Sequence, residues 1–470
     1  MANSLMRKKI LGPFALAMIA IVAIIDLRGA SMMATYGLSV IFFYTMAALL
    51  FLIPSGLVCA ELSTTVQEPG GMYAWIQKAF GEKTGFFAIW LEWLNNLIGF
   101  PASLSLITVT LTYLVNPNLI QHKLLILSLT LAILWAVTLF TLQGIKAAAR
   151  LNFFGAVFGT IIPTIIIAFL AVTWIILQNK LQIEFSWRNL LPDVNASNPG
   201  FFAAIILGFG GMQIIAFHRS DVINPKHNYP RAILCAVAAI FFIAVLSALS
   251  IAIVVPSAKL NLVSGFIESF YRFFTVLGIP WATPVMIVMI VSGLLATFNA
   301  WFLGPARGLA VAAEKGFIPK FFSRVNKHNV PANILILQAM MCTLFSMLFL
   351  YMPNVNSGFW MLLNLSSQSA IVVYILIFAA AIKLRYQNNA KMLDGFRIPG
   401  GKIGMGLVAG TGIVTCIGAL TVSVIPPALV DTGKLWHYEV ILLGSNVLFL
   451  GAPMFILFYL RRKRQIGAVT

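Results

Sequence analysis

The chain has 470 residues, of which 60% are hydrophobic and only 9% charged, and it carries a formal net charge of +18. Soluble domains contain about 25% charged residues, so a soluble globular protein is excluded. Long apolar runs separated by short polar stretches predict a multi-spanning helical membrane protein; a membrane β-barrel would show weak alternation in ~10-residue segments instead.

The opening MANSLMRKKILGPF imitates the charged start of a signal peptide. No small-residue cleavage site follows and the apolar run continues, so an uncleaved first helix is expected. Spans are predicted near 11–35, 38–60, 84–114, 123–142, 151–177, 200–217, 231–255, 283–306, 332–352, 358–382, 404–427 and 437–460, twelve in all. With a cytoplasmic N-terminus, 24 of the 31 basic residues fall on inside segments and six outside, leaving Arg28 within the first span. That asymmetry follows the positive-inside rule and predicts a multi-pass protein with both termini cytoplasmic. The basicity therefore orients the chain in a bilayer, and no nucleic-acid partner is expected.

Within the first span, MIAIVAIIDLRGASMMATYGLSVIFF places Asp26 and Arg28 in strongly apolar surroundings. A turn at DLRG would leave a first helix of residues 13–25, about 20 Å long and too short to cross. A turn at TYGLS leaves two adequate spans and puts both charges near the middle of the first. In a continuous helix residues i and i+2 point about 200° apart, so the pair could not meet readily. With Gly29 alongside, the expectation is an interrupted helix, one half ending near Ile25 and the other beginning near Ala30, with free carbonyls and N–H groups facing the break. Such backbone at membrane depth is tolerated where it is buried or lines a cavity. Asp26 and Arg28 then need partners: each other, Glu92 in the third span, or a charged substrate. A purely structural ion pair with another helix is the competing explanation.

The third span, GFFAIWLEWLNNLIGF, carries Glu92 about 15 Å deep. Cys59, Cys235, Cys342 and Cys416 are scattered without paired spacing and read as apolar packing residues. The five histidines fall at span ends or in loops and form no ligand pattern, and no HExxH, GxSxG or phosphate-loop motif occurs. No enzyme, metal or cofactor is expected.

In the sixth span, FFAAIILGFGGMQIIAF, Gly208, Gly210 and Gly211 interrupt an otherwise apolar run. Clustered glycines also serve close helix packing. Paired interruptions in the first and sixth spans instead match transporters built from inverted repeats. The organisation predicted is a first repeat at 11–177, a second at 200–382 and two added helices at 404–460. Between spans seven and eight, GFIESFYRFF (265–274) is amphipathic, with Glu268 and Arg272 one turn apart, and predicts an external helix that either caps the vestibule as part of an outer gate or lies passively at the interface.

Three ordered motifs carry a family resemblance. GFGGMQIIAFHRSDVINPKHNYPRAI (208–233) is similar to the sixth-helix signature of the amino acid–polyamine–organocation superfamily, with a Pro-Arg pair opening the next helix. EPGGMYAWIQKAFGEKTGFFAIW (68–90) resembles its loop between helices two and three, and FNAWFLGPARGLAVAAEKGFIPKFF (298–322) the end of its eighth helix. The details look most like the glutamate/GABA antiporter group. The resemblance implies a LeuT-like fold of five plus five inverted helices, with helices 1 and 6 broken, and a site between helices one, three, six, eight and ten. An α-carboxylate would sit on N–H groups of Gly29, Ala30 and Ser31. The α-ammonium would face carbonyls near Ile24, Ile25, Gly208 and Phe209, together with Asp26, with Phe209 as an aromatic lid. Arg28, Glu92, Gly210, Gly211 and Gln213 complete the candidate binding set. Gln213 stands where the family often has an acid, and Asp26 and Arg28 replace small residues common in its first helix. No counterpart of a C-terminal plug is expected in the ten or so residues after the last span.

The function expected is amino acid transport in the cytoplasmic (inner) membrane, by exchange, with an amino acid substrate and the lipid bilayer as partners. Alternatives are a symporter using protons, with Asp26 or Glu92 titrating, and a receptor that binds amino acid without flux. Ser292 and Thr297 are possible sodium-facing oxygens, although such hydroxyls usually bond their own helix.

Overall fold

The computed structural model describes residues 12–466 except 26, 67, 69, 144–153, 156, 178–179, 193–204, 207, 258–259, 261–263, 329, 353, 388–394 and 427–434. The described residues form an all-helical bundle. Ten of its helices are long and apolar enough to cross a membrane: Gly37–Thr65, Glu82–Thr112, Lys123–Leu142, Val157–Ile176, Pro225–Val254, Ala282–Glu314, Ala332–Tyr351, Val355–Tyr386, Gly401–Val422 and Trp436–Phe458. Two predicted spans, 11–35 and 200–217, are not in that set: the first is described as two short helices, and residues 200–204 and 207 of the second lie outside the described residues.

The first interruption separates α1 (Pro13–Ile24) from α2 (Leu27–Ala34), with Ile25 extended at φ −63° and ψ 109°. The turn between the first two spans falls at Thr35–Tyr36 and a 3-10 segment, Gly37–Ser39, as the TYGLS reading expects. One detail needs correction. The second half begins at Leu27, not Ala30, so Gly29 is an early residue of α2 and not part of the break. The extended backbone at Ile25 already ends the helical ladder of α1. Gly29 instead leaves open space, with nothing within 4 Å of where a Cβ would stand.

The second interruption follows Gly208. Phe209 closes the last helical turn, its N–H bonded to the Ile205 and Ile206 carbonyls, and Gly210 and Gly211 leave helical geometry before a 3-10 run, Met212–Asp221. Gly211 has φ +130°, a region open to glycine. The next helix opens at Pro225 behind a left-handed Asn224, rather than at the Pro230–Arg231 pair, which lies inside it. Proline at the first helical position surrenders an N–H that would have no helical partner anyway.

Burial sorts the long helices into axis and rim. The apolar window of Glu82–Thr112 is 89% buried, whereas that of Trp436–Phe458 is 11% buried. The first is the central post of the bundle; the second presents its apolar surface to lipid. The polar residues of the central helix, Glu92, Asn95 and Asn96, are therefore inside the protein.

Small residues bring two helices into backbone contact. A Cβ on Gly159 would stand 2.1 Å from the Gly293 nitrogen, and one on Gly155 2.4 Å from the Ser292 carbonyl oxygen. That crossing, of the small-xxx-small kind, anchors the Ala282–Glu314 helix, which carries Trp301 and Thr297 toward the centre. Ser292 bonds its own helix through the Met289 carbonyl at 2.7 Å. The amphipathic segment forms the helix Gly265–Val276, with Arg272 Nη2 2.7 Å from Glu268 Oε1. Gly265 at its start packs on Ser31 of α2.

Candidate functional site

The two interruptions meet. A Cβ on Gly211 would lie 2.8 Å from Ile24 Cγ1 and 3.5 Å from both the Ala23 carbonyl oxygen and Trp301 Cζ2. A helix that stops at Ile24 leaves its last carbonyls without intrahelical donors. Trp301 Nε1 donates to one of them, Ala23 O, at 3.2 Å. Backbone of both breaks and an indole from a third helix thus share one junction.

Beside that junction lies a cavity of about 80 Å³, walled by Ala23, Ile24, Gly210 and Gly211 from the breaks, Asn95 and Asn96 from the central helix, Thr297 and Trp301, and Ser366 and Tyr374 from Val355–Tyr386. One water needs roughly 10–15 Å³ on this scale, so the space suits a small polar molecule.

A chain of hydrogen bonds crosses its wall. Gly211 N–H donates to Tyr374 Oη at 2.5 Å, and Tyr374 O–H donates to Gln213 Oε1 at 2.5 Å. Gln213 Nε2 donates to Glu92 Oε1 at 3.1 Å. Gln213 is 3% and Glu92 4% exposed, so no bulk water replaces these partners. The amide suits this place because it accepts on one side and donates on the other; it ties the second break to the central helix. Replacing Tyr374 with Phe strands the Gly211 N–H, at a cost of about 1–3 kcal/mol. Thermal unfolding in detergent should show a clear fall in Tm with the helix content kept.

The sequence-derived candidates divide between two chambers. Gly210, Gly211 and Gln213 line the larger cavity. Ile25, Gly29, Ala30, Gly208 and Phe209 line a smaller, mostly apolar one of about 40 Å³, together with Tyr44 and Ser247, and Ile24 borders both. Phe209 is buried, its ring 5.4 Å from that of Tyr44, and it faces the smaller chamber. Ser31 is the fifth residue of α2, so its N–H serves the helix; Gly29 and Ala30 stay among the four without helical acceptors. Glu92 lines neither chamber and reaches the larger one through Gln213. Asp26 and the side chain of Arg28 lie outside the described residues, as does the choice among their partners.

Sequence reasoning missed Tyr374, Trp301, Ser366, Asn95 and Asn96. For the asparagines a signal was present: two adjacent amides one helical turn after Glu92 in an apolar run. Tyr374 sits in SAIVVYILIF, where nothing local separates it from a packing aromatic.

The model of the amino acid permease family matches residues 11–445. The chain belongs to the amino acid permease family. The permease is 38% identical over 449 residues to an uncharacterized transporter of Legionella pneumophila, an alignment covering 95% of this chain and 96% of the relative. It is 30% identical over 437 residues to a glutamate/gamma-aminobutyrate antiporter of Lactococcus lactis, covering 92% and 86%. It is 26% identical over 449 residues to a probable agmatine/putrescine antiporter of the same species, covering 93% and 92%. The permease is thus a multi-pass membrane transporter of amino acids, not an enzyme.

Proposed function

We propose that the permease exchanges amino acids across the cytoplasmic membrane by alternating access. In this reading twelve spans form a LeuT-like arrangement, with repeats at 11–177 and 200–382, helices 404–460 added, and both termini cytoplasmic. The observation that carries it is the meeting of two interrupted helices, Ile24 against Gly211, beside a cavity deep in the bundle. Interrupted backbone offers unpaired donors and acceptors at membrane depth, which a zwitterion satisfies. The substrate's α-carboxylate goes to the N–H groups of Gly29 and Ala30, its α-ammonium to carbonyls around Ile24 and Gly210, and its side chain into the larger chamber. The Gly265–Val276 helix, seated on Ser31, covers the outer approach. Exchange follows if the empty carrier does not reorient, since a ligand shifts an equilibrium only by its differential affinity for the two states. Two relatives named as antiporters support that choice.

A second reading, proton-coupled uptake, draws on one observation: a buried carboxyl, Glu92, hydrogen-bonded through Gln213 to the second break. Proteoliposomes separate the two. Under exchange, labelled amino acid accumulates only in vesicles preloaded with substrate. Uptake into empty vesicles driven by an inward proton gradient, and insensitive to preloading, means symport. Binding with neither flux contradicts transport altogether.

A further inference from the structure

Resting on the site just proposed, we infer that the larger cavity selects an amino acid whose side chain is uncharged and ends in a carboxamide. Among the described residues its wall holds no Lys, Arg, His, Asp or Glu. Its polar side chains are amides, hydroxyls and the Trp301 indole, whose N–H is committed to the Ala23 carbonyl, and two amides stand adjacent on the central helix, each about nine-tenths buried. Ser366 Oγ lies 2.6 Å from Asn95 Oδ1 and 3.0 Å from the Asn95 carbonyl oxygen; its one hydrogen, given to the nearer Oδ1, leaves the Asn95 Nδ2 donors for the cavity. Asn96 Nδ2 donates to the Glu92 backbone carbonyl at 2.8 Å, which leaves the Asn96 Oδ1 acceptor. Neither remaining group has a partner among the described residues.

A donor beside an acceptor is the complement of a carboxamide, which offers one carbonyl and one NH₂. A carboxylate offers only acceptors and would set an oxygen against Asn96 Oδ1. A terminal ammonium or guanidinium offers only donors and would face the Asn95 NH₂. Glu92 does not supply a counter-charge at the wall, because Gln213 stands between it and the cavity with its Nε2 committed to Glu92 Oε1. Buried polar groups left unpaired by a mismatched substrate are the strongest source of discrimination open to such a site.

The test is counterflow at pH 7.5 in proteoliposomes of the full chain. Vesicles are preloaded with one compound of a panel and the same compound is offered labelled outside: L-glutamine, L-asparagine, L-glutamate, γ-aminobutyrate, L-norleucine and agmatine. Glutamine or asparagine should exchange about tenfold faster or more than glutamate, norleucine or agmatine. Asn96→Leu should lower glutamine exchange about tenfold and shrink the glutamine-to-norleucine ratio toward one. Glutamate, γ-aminobutyrate or agmatine exchanging as fast as glutamine overturns the side-chain assignment while transport stands. Exchange of none of the panel, with binding retained, overturns the transport reading as well. The wild-type panel decides alone, so a variant that fails to fold does not leave the question open.

Discussion

Gly211→Val should abolish exchange in proteoliposomes while Gly410→Ala leaves it unchanged. Two physical effects act together at Gly211. Its φ of +130° is closed to a β-branched residue, at a cost on the order of 1–3 kcal/mol. The added side chain would also enter the space held by Ile24 and Trp301, where even a Cβ comes within 2.8 Å of Ile24 Cγ1. Relief requires turning the Gly211 peptide, which withdraws its N–H from Tyr374 and loosens the chain to Gln213 and Glu92. Gly410, in the Gly401–Val422 helix, has nothing within 4 Å of an added Cβ, so it controls for the loss of a glycine as such. Flux per monodisperse protein on size exclusion is the readout. Wild-type exchange by Gly211→Val would mean that the two breaks need not touch.

Arg385→Ala should destabilise the permease by about 3–5 kcal/mol, the cost of orphaning one member of a buried ion pair. Arg385 Nη1 donates to Glu61 Oε1 at 2.7 Å, with the two side chains only 8% and 6% exposed. The remaining groups are satisfied as well. Glu61 Oε2 accepts from the Ile398 N–H at 2.7 Å, and Arg385 Nη2 donates to the Ile398 carbonyl at 2.9 Å. Thr64 Oγ1 accepts from the Phe396 N–H at 3.0 Å. The cluster fastens the segment 395–401 across the ends of the Gly37–Thr65 and Val355–Tyr386 helices, one bordering the broken spans and the other bearing Tyr374. Without the Arg385 guanidinium, Glu61 loses its 2.7 Å ion-pair contact and keeps the Ile398 N–H and the weaker influence of the Arg397 charge. The double variant Glu61→Ala/Arg385→Ala should therefore lose less than the sum of the single variants, a positive coupling measurable by chemical unfolding in detergent. A loss below about 1 kcal/mol for Arg385→Ala would place the pair in solvent-like surroundings.

How much of this was legible in the sequence follows the range of the forces involved. The interruption near Asp26 could be read because a helix ending there is too short to span and one continuing past it would strand two charges. The glycines at 208–211 mark the second interruption for the same local reason. The i,i+4 pair of Glu268 and Arg272 is likewise a property of one helix. Its counterpart, Glu61 with Arg385, is not: 324 residues separate them, and nothing in CAELSTTV or AIKLRY names the other.

The sequence by itself determined the membrane class, the extent of the uninterrupted spans to within a few residues at most ends, and the places where two helices break. Hydropathy and backbone preference act over one or two turns, and those properties need nothing more. Only the tertiary structure decided that Ile24 touches Gly211, that Gln213 joins Glu92 to Tyr374, and that the candidate residues fall into two chambers meeting at Ile24. Those distances arise from how at least four helices pack, through contacts such as Gly159 on Gly293, and a side chain's partner across such a packing is set by shape and burial that no neighbouring residue encodes.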